Sequence, residues 1–567
     1  MSSLERYGKV FETDVLVVGG GLAGVNAAIG AAEKGAKVLI LDKAAIERSG
    51  SIGGGVDHFQ AFLETGESWD TREAYLQYAG RIARGAVNLR IINEIYCKEL
   101  PAAIERLERI GNPVTQPDGT YYRTQSLGQP GPYMINFNGK HLKPRLAKEV
   151  KRLGCQVLEK VAVTSLLTSD GRASGVIGFN IRTGELVVVR ARALVLSTGN
   201  TNRLFHNPTG LPFNTWQCPA DTGAAQSMAF RAGAAVANME YIRLTVVPKG
   251  FSAAGLNALT GTGVGGRLLN ALGEEFMPRY HPAGSKGPRF KLVEGVLMEI
   301  QNGRGPIYVD CRHFSKKEMD HLNATLGYDK DTLPDFIRQK GLDLTKDLLE
   351  LMVSEGMQSG PSEVCASGIK IDETCASTLP GMFAAGDCAD QIRCCSPSIA
   401  GGYAAGKSAA DYARTVDDLC PVDDEQIERE KQRVFAPLKC DEGMSHREFE
   451  DILRKIMWDN VGVARTDASL RNALSKLERL EEHKDRLIAR NLHELMRVNE
   501  AQEMLVVGKL SALASLHRKE TRFGVYHRRI DYPETDDANF CGQFVLQKVK
   551  DEIKVTFNPL TYEIPES

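Results

Sequence analysis

Aromatic residues are scarce in this chain, at 7%, with three tryptophans among 567 residues. An excess of either charge is missing as well, since 70 Lys and Arg stand against 72 Asp and Glu, a net of −2. That balance argues against a nucleic-acid binder and against strong attraction to anionic membranes. No export signal is seen, because Met1 to Thr13 is polar and runs straight into an apolar strand. A cytoplasmic location is therefore expected, with partner subunits as the route to any membrane. A clean membrane-spanning run is lacking too. Val15 to Ala32 is uncharged for about the needed length, yet it holds five glycines and Asn26. The 12 cysteines show none of the C-x2-C rhythm of zinc or iron–sulfur ligation. No metal site is expected, and reduced thiols fit a chain without an export signal. Cys365, Cys375, Cys388, Cys394 and Cys395 crowd together and read as small core residues or as a redox-active or substrate-contacting thiol. The length exceeds one typical core, so two to four domains are expected.

What is present begins with Asp14 to Lys43. It reads as strand, tight glycine turn, helix, second strand and a terminal acid. Gly19, Gly21 and Gly24 form G-x-G-x-x-G directly after Val15–Val18. In such a turn the first glycine makes the bend, the second lets a pyrophosphate approach the backbone, and the third lets the helix press on the strand. A diphosphate would lie on amide groups at a helix N-terminus, where the dipole favours negative charge. Asp42, ending the strand Val38–Leu41, is placed to bond a ribose. Together these features predict an adenine-dinucleotide site. A second glycine-rich loop, Ala44 to Gly55, follows the acid and reads as a wall against a flat ligand.

Residues 70–112 are helical in pattern, and Leu146 to Leu153 predicts a further helix. Val157–Thr164, Ala173–Ile181 and Glu185–Arg192 alternate as strands. Ala193–Gly199 reads as a buried strand ending at Thr198-Gly199, and Gly381–Asp387 as another ending at Gly386-Asp387. Residues 238–355 break this alternation and read as an inserted capping domain. The expected organisation is α/β: a Rossmann-like dinucleotide domain over 1–237 and 356–416, the cap at 238–355, a helical domain at 417–516, and a tail at 517–567.

Several motifs occur in one order: the glycine turn with Asp42-Lys43, the loop Arg48-Ser49-Gly50, Ser197-Thr-Gly-Asn200, Ala220-Asp-Thr-Gly223, Asn238-Met-Glu240 and Ala384-Ala-Gly-Asp387. That order resembles the fumarate reductase/succinate dehydrogenase flavoprotein family over essentially the whole chain. Within it, Ala489–Arg497 and Arg518–Gly524 look most like the alpha subunit of adenylylsulfate reductase. The resemblance implies FAD, a mobile cap over its isoalloxazine, hydride or electron-pair transfer at flavin N5, and a ferredoxin-like iron–sulfur partner. It places the cofactor against Gly19, Gly21, Gly24, Asp42, Lys43, Ser49, Gly50, Gly54, Gly55, Thr198, Gly199, Asn200, Asp221, Gly386, Asp387, Ser398 and Ile399.

The departures bear on chemistry. Gly50 stands where succinate dehydrogenases carry a histidine bonded to FAD, so non-covalent FAD is expected. Thr262 and Val264 replace the arginine and glutamate of the family's Gly-x-Arg-Gly-Glu segment, and Thr245 replaces a histidine. Glu363 replaces a second histidine and reads as a general acid or base, or as a solvated loop glutamate. Arg393 aligns with the carboxylate-gripping arginine, and reads as that or as a surface or cofactor-phosphate arginine. Arg243 and Arg267 read as anion-facing or as interdomain ion pairs; on a regular strand Arg243 and Thr245 would share a face. The expected activity is two-electron oxidoreduction of a small anion, either adenylylsulfate/sulfite or an unsaturated acid or thioester. The alternative is an electron-transfer or assembly flavoprotein without turnover of its own. A nicotinamide-dependent dehydrogenase is disfavoured, because the crossings at Thr198-Gly199 and Gly386-Asp387 suit FAD.

Overall fold

The computed structural model describes residues 8–560 apart from 126–127, 212, 216, 252–264, 329–330, 363 and 422. Apolar runs too short and too β-branched for helices build a seven-stranded central sheet. Its middle is β1 (Lys9–Val18), flanked by β2 (Val38–Asp42) and by β3 (Leu186–Leu196), both parallel to it. Gln156–Glu159 extends the β2 edge in parallel. On the other side Arg172–Asn180 and Val161–Ser169 follow antiparallel, and β4 (Met382–Ala384) pairs in parallel with the end of β3. The two strands read across Glu185–Gly199 are one continuous strand, and the single strand read across Val157–Thr164 is broken at Lys160, whose φ is +63°.

Helix α1 (Leu22–Glu33) is apolar all round and is buried from Leu22 to Ala31, as a helix enclosed on every side must be. It packs on the sheet alongside α2 (Cys395–Ala413). Small residues bring the two helix backbones together. A Cβ built on Gly402 would stand 2.2 Å from Ala23 O, and one on Gly406 1.9 Å from Ala27 O. Gly406→Leu is therefore expected to lower stability by about 1–3 kcal/mol or more through overpacking. Thermal unfolding would show the drop; an unchanged melting temperature would refute this account of the helix contact.

Residues 238–355 contribute to a four-stranded antiparallel sheet in the order Ile242–Pro248, Leu349–Gln358, Ile307–Asp310, Arg267–Leu269, with helices Arg289–Gln301, Lys316–Thr325 and Thr332–Gln339. The stretch 517–560 does not stand apart. Its hairpin, Gly542–Val549 with Glu552–Pro559, pairs with Val236–Ala237, which pairs in turn with Gly368–Ile369, so it closes a sheet on two strands that flank residues 238–355 in the chain. Arg518 Nε donates to Glu240 Oε1 at 2.7 Å, and Arg518 and Arg522 both bond Glu520 Oε1, all four groups buried. Between α2 and that hairpin in the chain run the helices Asp424–Phe435, His446–Val461, Asp467–Glu481 and α3 (Leu492–His517). Among the described residues no helix is long and apolar enough to cross a membrane.

Candidate functional site

A cavity opens at the C-terminal ends of β1, β2 and β3, the place where an open parallel sheet binds ligands. The three motif glycines divide the work as their geometry requires. Gly19 turns with φ +98°, and a Cβ there would stand 2.6 Å from Ser197 O. Gly24 presses on the turn, its Cβ position 1.8 Å from Gly19 O. A Cβ on Gly21 would meet nothing nearer than Gly50 Cα at 3.9 Å, so that side of the backbone faces the cavity. Asp42 accepts from the amides of Gly20 (2.7 Å) and Ala44 (2.6 Å) and still borders the cavity. Each carboxylate oxygen keeps a further lone pair for a ligand hydroxyl.

Thirteen of the residues expected against the cofactor border this cavity: Gly19, Gly21, Asp42, Lys43, Ser49, Gly50, Gly55, Thr198, Gly199, Asp221, Gly386, Asp387 and Ser398. Four do not. Gly24 sits behind the turn, and Gly54 is exposed. Ile399 is buried in the core, and Asn200 turns its amide to Gln217 and to Met357 Sδ. Gly50 has φ +77°, and a Cβ there would lie 2.9 Å from Gly21 Cα. Neither the backbone nor the space admits a histidine at that position.

Of the expected catalytic residues, Arg393 and Arg243 are fully buried. Arg393 Nη2 lies 3.3 Å from Asp387 Oδ2, which also accepts from Gln217 Nε2 at 2.9 Å. Gln217 in turn contacts Asn200, and Asn200 contacts Met357, the residue that pairs with Arg243 across the cap sheet. Arg243 and Thr245 do not share the regular face expected of them. Opposite them, Met357 to Ser354 spans one residue more, a bulge that breaks the alternation. Arg267 is a correction: it stands exposed on the edge strand of the cap sheet, 3.8 Å from Glu275, a surface ion pair of little energetic weight. Glu363, Thr262 and Val264 lie outside the described residues.

Three parts of the site were not read from the sequence. Met496, Asn499, Glu500 and Glu503, on one face of α3 by their spacing, complete the cavity wall from the helical region. Glu500 accepts from Lys43 Nζ (2.6 Å) and Arg203 Nη2 (3.0 Å). Burial works against its charge, but Lys43, Arg203 and Arg497 outweigh it and hold the carboxyl at about 2. Lys143, fully buried, donates to Gly20 O at 2.6 Å, and burial brings its ammonium down to about 8. Arg289 opens a cap helix and donates from Nη1 to Thr245 Oγ1 at 3.2 Å. The i, i+3, i+4, i+7 polar spacing within Met496–Glu503 and the Gly287-Pro288-Arg289 helix start were the signals available.

Burial raises the carboxyls of Asp221 and Glu503 to about 7 each, against the pull of Lys43. The unfolded chain gives up these protons near 4, so the folded state binds them more tightly. Their contribution to stability is full below about pH 4 and is lost as pH rises through 7. Protein stripped of ligand is expected to melt at falling temperature from pH 5.5 to pH 8, and the double variant Asp221→Asn, Glu503→Gln to flatten that slope. A slope identical in the double variant would sink the assignment.

A glycine turn, a ribose-side acid and two further strand-end crossings around one cavity define a dinucleotide-binding flavoprotein. Residues 14–408 match the family described as FAD binding domain, and residues 450–566 match fumarate reductase flavoprotein C-term. The chain is 28% identical to a fumarate reductase (CoM/CoB) subunit from Methanothermobacter marburgensis, over 93% of this chain and 96% of that protein. It is 27% identical to an uncharacterized FAD-dependent oxidoreductase of Methanocaldococcus jannaschii, over 98% and 99%. The structure superposes on adenylylsulfate reductase of Archaeoglobus fulgidus with a TM-score of 0.86 at 26% identity, covering 99% of this chain and 97% of that one. The chain thus belongs to the FAD-binding flavoprotein subunits of the fumarate reductase, succinate dehydrogenase and adenylylsulfate reductase type, and is an FAD-dependent oxidoreductase.

Proposed function

We propose that this flavoprotein holds FAD without a covalent bond and exchanges two electrons at flavin N5 with a small anion lodged between cap and cofactor, an iron–sulfur protein carrying the electrons onward. The observation that carries this reading is the burial of Arg393 directly behind Asp387, a residue of the cavity wall. The guanidinium already faces the Asp387 carboxylate at 3.3 Å, and its planar fork suits a carboxylate or an oxyanion of sulfur as a further partner. Arg243, and Arg289 through Thr245, bring further positive charge from the cap side.

When bound, FAD supplies the hydride or electron-pair chemistry. The chain's own residues orient and balance charge. The α1 N-terminus and Gly21 receive the diphosphate, Asp42 the ribose, and the Lys43–Glu500–Arg203 cluster keeps the α3 face against the cavity. Gly50 leaves no tether, so acid precipitation is expected to release all of the yellow chromophore into the supernatant; colour remaining in the pellet would overturn the non-covalent assignment. Likeness to adenylylsulfate reductase supports a sulfur substrate, and likeness to fumarate reductase supports an unsaturated acid or thioester. Anaerobic reoxidation of the reduced flavin by adenylylsulfate, sulfite, fumarate or an enoyl thioester tests the proposal. A flavin that none of them reoxidises would favour the electron-transfer reading.

A further inference from the structure

The cavity wall carries an acid–base pair that the motifs above do not include. His58 begins a short strand, His58–Gln60, that pairs antiparallel with Met134–Asn136. Its ring is buried, yet His58, Asp57 and Cys394 all border the cavity. Nδ1 of His58 lies 2.6 Å from Asp57 Oδ1. Cys394, the residue that precedes α2, lies beside the ring. Two contacts fix this arrangement. Ser396 Oγ donates to Gln60 O at 2.6 Å, tying the first turn of α2 to the strand that carries His58. The Cys394 amide donates to Asp387 Oδ1 at 3.2 Å, which holds residue 394 at the unusual φ of +91°.

We propose that His58, oriented by Asp57, is a proton donor of the cavity and serves an acceptor that must gain a proton as it gains two electrons. This deepens the two-electron reading of the same cavity and rests on it. The proton leaves the ring nitrogen that does not face Asp57 and goes to the substrate atom next to the one receiving the electron pair. The electrons come from the reduced cofactor, and the neutral imidazole regains a proton from water. Burial alone would discharge the ring, but the charge and hydrogen bond of Asp57, with Cys394, raise it to about 10, so it carries a proton throughout the neutral range. Asp57 acts on it from its own loop and Cys394 from the residue before α2, while Cys394 in turn influences Tyr96 and Cys395. An aspartate that fixes one ring nitrogen leaves the other in a set orientation and protonation state, which general acid catalysis requires.

The test uses the FAD-loaded protein and two readouts. The imidazole C–H resonances of His58, followed by NMR through a pH titration, should show a transition near pH 10. Asp57→Asn should move it toward the ordinary histidine value of about 6.5, and His58→Gln should remove it. A transition that persists in His58→Gln, or one at about 6.5 in the parent protein, would overturn the assignment. In stopped flow, His58→Gln should slow reoxidation of the reduced flavin by fumarate or an enoyl thioester, whichever the parent protein reduces, about 100-fold or more. Reoxidation by ferricyanide, which needs no proton, should be unchanged. Equal slowing with both oxidants would reduce His58 to a structural role. Protein that takes up no FAD would defeat the flavin reading itself, an outcome distinct from either of these.

Discussion

Gly21→Val is expected to give a folded, colourless protein. A Cβ at this position has room, its nearest neighbours being Gly50 Cα at 3.9 Å and Ser197 O at 4.0 Å, and Gly21 has an ordinary φ of −64°. The valine methyls would project into the cavity beside the start of α1, the place the motif assigns to the diphosphate. FAD affinity should fall about 100-fold or more, roughly 2.8 kcal/mol at 1.4 kcal/mol per tenfold. The melting temperature of the FAD-free protein should stay where it was. Gly24→Val supplies the contrast, since its Cβ would stand 1.8 Å from Gly19 O and must separate helix from turn. That variant should lose stability whether or not FAD is present. Flavin content by absorbance and melting of stripped protein measure both. A Gly21→Val protein as yellow as its parent would remove the diphosphate from this turn.

The same comparison shows why some of this site was legible in the sequence and some was not. Gly19, Gly21, Gly24 and Asp42 lie within one β1–α1–β2 unit, where chain geometry alone fixes spacing. A local pattern therefore suffices. Thr198-Gly199 and Gly386-Asp387 were legible for a similar reason: a buried strand that ends in a small residue crosses the sheet edge where ligands sit. Glu500 and Glu503 belong to another region of the chain, and their place beside Lys43 follows from how α3 docks, which no local pattern encodes. His58 was missed because its place on the cavity wall depends on the Ser396–Gln60 contact between segments far apart in sequence. Strand alternation misplaced Arg243 relative to Thr245 because the extra residue lies on the partner strand. Arg267 failed differently. Its closeness to a glycine loop suggested a site, but an edge strand turned it to solvent.

Arg393→Ala is expected to keep flavin and lose substrate. The carboxylate that Arg393 faces does not depend on it alone, since Asp387 also accepts from Gln217 Nε2 at 2.9 Å and from the Cys394 amide at 3.2 Å. The wall at Gly386-Asp387 should therefore persist, and FAD content should stay near one per chain. What disappears is a buried guanidinium beside the cavity. A hydrogen bond to a charged group contributes about 1.5–3 kcal/mol, so substrate-dependent reoxidation, read as kcat/KM, should fall roughly 10- to 150-fold. Arg393→Lys should recover part of the loss, because a point charge replaces the planar fork without its two parallel bonds. Reoxidation by ferricyanide needs no anion grip and should not change in either variant. Full turnover in Arg393→Ala would move the anion site elsewhere, and the cap-side pair Arg243 and Arg289 would be the next place to look.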